Sequence, residues 1–415
     1  MKYLLVGAGL YNAVIYQRLV HEFGVNPADI TIIEKRKHLG GNCYTEKVEG
    51  ITVHKYGAHI FHTSDKEVWS FARKFGEFNH FVNSPIARYY NEETGHYEIY
   101  NLPFNMNTFA HLFEQKIDWM NICPNVIKGR IKSEIEEYKE KHPFDTPSNL
   151  EEQAISLVGT TVYEKLIKHY TEKQWGKPCT ELEPWIIKRL PLRFTYDNNY
   201  FNDVYQGIPV DGYTQWIANM FEGHPIHYEE NFLQDIYQHE VHGMDNFDQV
   251  FYSGDVSELL NSVMMYDKLT AGIVHEDGFD DFWLDWRSLK FEEKVNDTDN
   301  WQGNAVVNYT SPDVDYTRTI EHKFFNNEQL DVNKTVVTYE YPEKYTAGSE
   351  KYYPLAKDNE KYENILRYLP KKIVPTGRLG LYKYMDMDDV IKAALVDDRL
   401  ITEHPAEPGC IFGSV

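Results

Sequence analysis

The chain is poor in cysteine, poor in basic residues and without a long apolar run. Its four cysteines, Cys43, Cys123, Cys179 and Cys410, are scattered through 415 residues with no CxxC pair. That spacing argues against a disulfide framework or a cysteine metal knot and suits a reducing compartment, so a cytoplasmic location is expected. Lys and Arg number 42 against 64 Asp and Glu, a net charge of −22. A nucleic-acid binder needs a basic footprint, and a peripheral membrane protein needs a basic face for acidic lipid; neither class fits. No apolar stretch reaches the ~18 residues of a membrane-spanning helix. Repeats and low-complexity segments are missing too. The opening MKYLLVGAGL reads as a first strand meeting glycine, not as a secretion signal.

Aromatic residues, by contrast, are abundant. The chain holds 31 Tyr and 8 Trp, and its hydrophobic content of 42% is ample for packed cores and excludes disorder. Side chains with a flat apolar face and a polar tip suit sugar and nucleobase pockets. The length suggests two or three domains.

Residues 2–6 (KYLLV) form a buried-strand pattern, followed by Gly7-Ala8-Gly9, a helical run LYNAVIYQRLVHEF and a second strand at 30–33 ending in Glu34. This is the order of a dinucleotide-binding βαβ unit, whose glycines let a pyrophosphate approach the free N–H groups of a helix start. Asn12 stands where the third fingerprint glycine belongs and is expected to loosen the helix–strand approach. Glu34, 22 residues beyond it, is placed to bind a ribose hydroxyl. Gly40-Gly41-Asn42 adds a second flexible segment nearby, and Gly377-Arg378 precedes a closing helix. Glycine clamps at opposite ends of a chain suit FAD better than NAD.

Ser64-Asp65-Lys66-Glu67 opens a helix, FVNSPIARYY and YEIYNLP flank a turn as a hairpin, and 107–170 reads as helical with breakers at Pro143, Pro147 and Gly159. Residues 190–210 and 284–345 are strand-like, and 371–396 returns to strand, glycine turn and helix. The stretch 233–284 reads as an irregular acidic surface region. The three histidines of HKYGAHIFH lack metal spacing; they are either surface residues or part of a segment lining a flat cofactor ring, with His59 as the polar contact. In YTEKQWG, Tyr170 and Trp175 either sandwich a nucleobase or end a helix and plug a core. Arg189, Arg193, Arg287 and Arg318 recur beside Asn199, Tyr200, Phe201, Tyr352-Tyr353 and Tyr384. Arginine forks beside tyrosine hydroxyls are what a diphosphate requires.

Together these blocks resemble the UDP-galactopyranose mutase family. The resemblance rests on GAGL, EKRKHLGGNCYTE, HKYGAHIFHT, NLPFNMNTF, EEQAISLVG, YTEKQWG, IIKRLPLRFTYDNNYF, YQGIPVDGYT, RSLKFE, YTRTIEHK, YYP and GRLGLYKYMDM, in the family's order over most of the chain. It implies an α/β fold: a discontinuous FAD-binding Rossmann-like domain (1–83, 208–255 and 354–415), an inserted helical domain with a mobile lid (100–189), and an antiparallel sheet domain (84–99, 190–207 and 256–353). It implies a non-redox ring contraction between UDP-galactopyranose and UDP-galactofuranose for cell-surface polysaccharide, through a covalent flavin N5–sugar adduct. The FAD must be reduced, by an external donor such as NAD(P)H, and the protein is expected to form a homo-oligomer.

By the same resemblance, Arg189 and Arg318 hold the diphosphate with Tyr352 and Tyr384, and Tyr200 lies nearby. Tyr170, Trp175, Asn199, Phe201 and Arg287 serve the rest of the substrate. Gly7, Gly9, Glu34, Lys35, Gly41, Asn42, His59, Arg378 and Asp386 line FAD. Four positions depart from the family's pattern: Asn12 and Asp211 each replace a glycine, Met385 a tyrosine, and Leu381 a polar residue. Met385 and Leu381 leave room for another nucleotide sugar, N-acetylated or deoxy. Two other classes are an FAD-dependent oxidoreductase, whose substrate would itself reduce the flavin, and a catalytically dead nucleotide-sugar binder.

Overall fold

The computed structural model describes residues 1–113, 122–187, 192–238, 244–271, 282–326, 333–355 and 359–400, with side chains omitted for 267–271. Tyr3–Val6 (β1), Leu10–Gln17 (α1) and Ile30–Glu34 (β2) form the expected βαβ unit. β1 lies at the centre of a five-stranded parallel sheet, in the order Ile373–Pro375, Gln249–Tyr252, β1, β2, Ile226–Tyr228. Strands buried on both faces need apolar residues along their length, and YLLV supplies them; QVFY departs only at buried Gln249, whose side-chain amide donates to the Arg399 carbonyl. Tyr3 and Leu5 face the core shared with α1, whereas Leu4 and Val6 face the core under Phe232–Gln238 and Val256–Ala271.

That second core overturns the reading of 233–284 as variable surface. Gln249–Tyr252 pairs directly with β1, and Phe232, Ile236, Leu259 and Leu260 are buried against it. Acidic residues within the two helices mask this pattern in the sequence: Asp235 is buried, and Glu258 pairs with Lys351. Val256–Ala271 therefore packs with the parallel sheet rather than with the substrate-side sheet.

The second sheet has seven strands, ordered Tyr353–Pro354, Trp286–Asn296, Thr335–Lys344, Arg318–Glu321, Val306–Tyr309, Ile86–Asn91, His96–Asn101. It is antiparallel except where Val306–Tyr309 runs parallel to Ile86–Asn91. The hairpin Ile86–Asn91/His96–Asn101 is as expected. Residues 192–204 are not strand-like beyond one bridge at Leu192. There the backbone wraps around a guanidinium: Arg193 donates to the carbonyls of Asn199 and Tyr200 and to Asn202 Oδ1. Carbonyls spent on an arginine cannot join a ladder. Tyr205–Gly207 pairs instead with Phe61–Thr63 in a separate two-stranded sheet.

The helices Met106–Leu112, Pro124–Lys141, Leu150–Val162 and Lys168–Trp175 enclose their own core around Phe109, Ile127, Ile155 and Tyr163. Gly159 breaks the third of them, with φ +77°. A Cβ there would meet Glu134 Oε2 at 2.7 Å. The helix Lys66–Ala72 begins at Asp65, whose side chain accepts from the N–H groups of Glu67 and Val68. No described helix is long and apolar enough to cross a membrane.

Candidate functional site

One open cavity of about 660 Å³ runs from the turn after β1 to the second sheet. Among the residues lining it are Gly7, Gly9, Glu34, Lys35, Gly41, Asn42, His59, Arg378 and Asp386. The same cavity reaches Tyr200, Phe201, Arg318, Tyr352 and Tyr384, so residues far apart in sequence meet in one cleft only on folding. Tyr170, Trp175, Asn199 and Arg287 are not among its lining residues. Arg189 lies outside the described residues.

The two fingerprint glycines serve different ends. Gly7 has φ +94°, and a Cβ there would sit 2.0 Å from Ser253 Oγ, so the protein itself demands glycine. Gly9 has an ordinary φ of −91° and a Cβ there would meet no protein atom within 4 Å. Its missing side chain keeps open a space that no part of the chain fills. Beside it α1 starts without a side-chain cap, leaving its first N–H groups directed at an incoming anion. Glycine, helix start and Glu34 together fit the pyrophosphate and ribose of a dinucleotide.

Asn12 does the reverse of loosening. Its buried Nδ2 donates to the carbonyls of Val6 at 3.0 Å and Gly7 at 2.9 Å, and its Oδ1 accepts from Thr376 Oγ at 3.0 Å. Thr376 precedes Gly377-Arg378, so the asparagine joins the two glycine clamps into one frame. The expectation failed because it weighed side-chain size and not the polar groups the frame leaves to be satisfied. Glu34 is likewise a frame member: its Oε2 accepts from Ala8 N–H and its Oε1 from Arg36 N–H, both at 2.9 Å. A carboxylate carries about four lone-pair sites, so two contacts leave capacity for a ribose. Arg36, which the sequence reading passed over, lies over Tyr56 and binds Asn42 Oδ1 and Glu350. Ser253 and Lys351, the latter held between Asp255 and Glu258, complete this end.

His59 Nδ1 lies 2.9 Å from the Gly57 carbonyl, which can only accept, so the proton is on Nδ1 and Nε2 is free to accept. Burial lowers its pKa to about 4, with Arg378 adding repulsion. Its neighbours are not surface histidines either. His59 N–H donates to His54 Nδ1 at 3.1 Å, His54 N–H to His322 Nδ1 at 3.2 Å, and His322 Nε2 to Thr338 Oγ at 2.7 Å. His62 stacks on Phe201 at 3.7 Å and bonds Asp203.

At the far end Arg318 is held from three sides. Nε donates to Asn308 Oδ1 at 3.3 Å, NH2 reaches Tyr170 Oη at 3.2 Å, and NH1 lies 3.6 Å from Glu340 Oε2. Glu340 is directly opposite Arg318 across the strand pair. The carboxylate keeps the guanidinium charged, its pKa well above the ordinary value despite burial. Glu340 Oε1 is buried and has no hydrogen-bond partner among the described residues. Nothing in TYEYP singles out this glutamate until the register is known.

Four assigned side chains are committed elsewhere: Tyr352, Arg287, Trp175 and Asn199. Tyr352 is buried and its hydroxyl donates to the Tyr56 carbonyl, while Arg378 packs over its ring. Tyr353 shares the cavity and stacks with Tyr384 at 6.0 Å and 24°. Tyr384 itself is 62% exposed within the open cleft. Arg287 donates through Nε and NH2 to the Gln174 carbonyl and so holds the end of the helix that carries Trp175. Trp175 packs against the helical core, as its plugging alternative had it, and Tyr170 reaches the site only through Arg318. Asn199 shapes its own loop, accepting from Gln206 and Phe201. Met385 lines the cavity; Leu381 packs into the core beneath it, and Asp211 is an exposed helix start.

A family profile described as UDP-galactopyranose mutase matches residues 165–384, and one for an NAD(P)-binding Rossmann-like domain matches residues 5–75. The chain is 34% identical to a dTDP-fucopyranose mutase of Escherichia coli, over 98% of this chain and 100% of that one. It is 33% identical to a probable UDP-galactopyranose mutase of Klebsiella pneumoniae, over 94% and 92% of the two chains. A solved structure of reduced UDP-galactopyranose mutase superimposes with a TM-score of 0.68 at 15% identity, covering 95% of this chain and 92% of that one. At that identity the superposition establishes the shared fold.

Proposed function

The chain belongs to the UDP-galactopyranose mutase family of flavin-dependent isomerases, and on that premise we propose that it interconverts the pyranose and furanose forms of a nucleoside-diphosphate hexose, UDP-galactose first among them. The observation that carries this reading is the single cavity joining a dinucleotide frame to Arg318 and Tyr384. Gly7, Gly9, Glu34, Lys35, Gly41, Asn42, His59, Arg378 and Asp386 would hold FAD. Reduced flavin, once bound, supplies the nucleophile for the anomeric carbon, and an external donor such as NAD(P)H keeps it reduced.

The chain's own part is to bind, orient and stabilise charge. Ring contraction needs the diphosphate to leave and then return to the same carbon, so the anion must be held in both states. Arg318 offers its remaining N–H donors to that anion. Glu340 fixes its charge and direction, so little reorganisation accompanies departure. Tyr384, Tyr353 and Tyr200 stand around the same space. Arg189, which follows Pro184–Ile187 in the sequence, would add a second cation.

A second substrate has its own support. The Escherichia coli relative acts, by its name, on a dTDP-fucopyranose, and its identity to this chain matches that of the Klebsiella relative. Met385 adds an apolar wall that suits a deoxy sugar. Purified protein would be incubated with UDP-galactofuranose and with dTDP-fucofuranose, with and without dithionite, and the ring forms separated by chromatography. Conversion only with reductant is expected. Conversion of neither sugar by a yellow, reducible protein would overturn the substrate reading, and conversion without reduction would overturn the chemistry.

A further inference from the structure

The helix Lys168–Trp175 touches the seven-stranded sheet through three successive polar ties. Tyr170 Oη meets Arg318, and the Gln174 carbonyl accepts from Arg287. Between them stands Lys173. Its ammonium lies 2.9 Å from the Tyr309 carbonyl, 3.0 Å from Ser311, 3.1 Å from Val314 and 3.1 Å from Tyr316. All four oxygens belong to the turn between Val306–Tyr309 and Arg318–Glu321. Four carbonyls around three N–H donors make the coordination shell of a cation rather than a set of separate hydrogen bonds.

We propose that Lys173 is a positioning residue: its ammonium gathers the 309–316 turn onto the helix and so sets Arg318 and Tyr170 at the distance the diphosphate requires. The proposal rests on reading Arg318 as a diphosphate ligand. Tyr170 and Lys173, three residues apart, share a helix face, and Arg318 follows the turn by two residues. Withdrawing the positive charge leaves four carbonyl dipoles converging on nothing, and the turn relaxes by opening. Arg318 then moves with its strand end while Tyr170 stays with the helix. Burial lowers the Lys173 pKa to about 8, against the pull of Asp313 and Asp315 in the same turn. The ammonium form therefore prevails at neutral pH. His169 and Glu172, on the same helix, bond each other instead.

The test uses full-length, flavin-loaded protein and three variants: Lys173→Met, Lys173→Arg and Lys168→Met. Lys168 forms an ion pair with Glu164 one turn away on the outer side and serves as the control. UDP affinity by titration, KM, kcat and the flavin spectrum are measured for each. Loss of positioning weakens substrate and transition state alike, so Lys173→Met should raise KM and the UDP Kd about tenfold with kcat nearly unchanged. The flavin spectrum should not move. Lys173→Arg keeps the charge and hence the fold, but a planar fork cannot serve four converging acceptors, so about a threefold rise is expected. Should the Met variant fail to fold, the Arg variant decides alone. Values for Lys173→Arg equal to wild type, or equal rises in Lys173→Met and Lys168→Met, overturn the proposal. Wild-type protein that binds no UDP would instead sink the reading of Arg318, which keeps the two failures distinct.

Discussion

The two ends of the cleft are built in opposite ways. At the dinucleotide end the work falls to backbone: glycines at 7, 9, 41 and 377, an uncapped helix start, and turns bonded to one another. Gly40 N–H reaches the Ala8 carbonyl, Ala8 N–H reaches Glu34, and Asn12 spans to Thr376. At the end proposed for the diphosphate the surfaces are side chains from separate strands and a distant helix, kept in place by other side chains. A backbone frame suits a group that stays put through every turnover. A side-chain cluster suits an anion that must depart and return, because each member can follow it through a small rotamer change.

The sharpest way to break this comparison is to degrade one end at a time. Arg318→Lys keeps the charge beside Glu340 but loses the fork. It should lower kcat/KM about a thousandfold, ~4 kcal/mol, while flavin content and thermal midpoint stay near wild type. A loss under tenfold would mean that another cation carries the diphosphate.

Gly9→Val addresses the other end, and its expected effect is next in size. A Cβ at this position meets no protein atom, so the apoprotein should fold with an unchanged midpoint. Flavin affinity should fall about a hundredfold, ~3 kcal/mol, because the added methyl groups enter the cradle. Gly7→Ala makes the contrast: with φ +94° and Ser253 in the way, it should destabilise the fold itself. Equal losses of stability in the two variants would show that Gly9 too is structural.

How far the sequence reveals these two ends follows from the same difference. Backbone chemistry is local, so the βαβ order, Gly7, Gly9, Glu34 and the Gly377 turn could be read directly. The diphosphate end depends on strand register. Glu340 becomes a partner of Arg318 only once residues 318 and 340 are known to face each other. Residue type alone could not separate Tyr352, whose hydroxyl is spent on a carbonyl, from Tyr353 in the adjoining position. Arg287 had the right chemistry and the wrong address. Gln249–Tyr252 was missed because a four-residue strand that opens on a glutamine carries no periodicity of its own.

Asn12→Ala sharpens the point about the frame and has a smaller expected effect. Two carbonyls and the Thr376 hydroxyl would lose their partner in a buried place. The cost should be about 2 kcal/mol in stability, with flavin affinity falling less than for Gly9→Val. Chemical denaturation of the two variants side by side gives both quantities. Unchanged stability would mean that the clamps at residues 7 and 377 are held by something other than this asparagine.

The smallest effect separates the frame from its surroundings by pH. His54 and His322 each use Nδ1 to accept a backbone N–H, and both are buried. Burial lowers the pKa of His322 to about 3, that of His59 to about 4, and that of His54 well below the ordinary value near 6.5. The folded state thus binds fewer protons than the unfolded chain below that ordinary value. The stability these histidines contribute is complete above about pH 6.5 and is lost as pH falls toward 4. Protonation would also remove the acceptor that each backbone N–H needs, so the loss is one of hydrogen bonding as well as charge. His322→Gln, in which an amide can still accept and donate, should flatten part of this slope, raising the midpoint by a few degrees at pH 5 relative to wild type. If wild type and variant give parallel curves of thermal midpoint against pH, the acid sensitivity lies in the carboxylates, and the histidine chain is a neutral spacer between the cradle and the sheet.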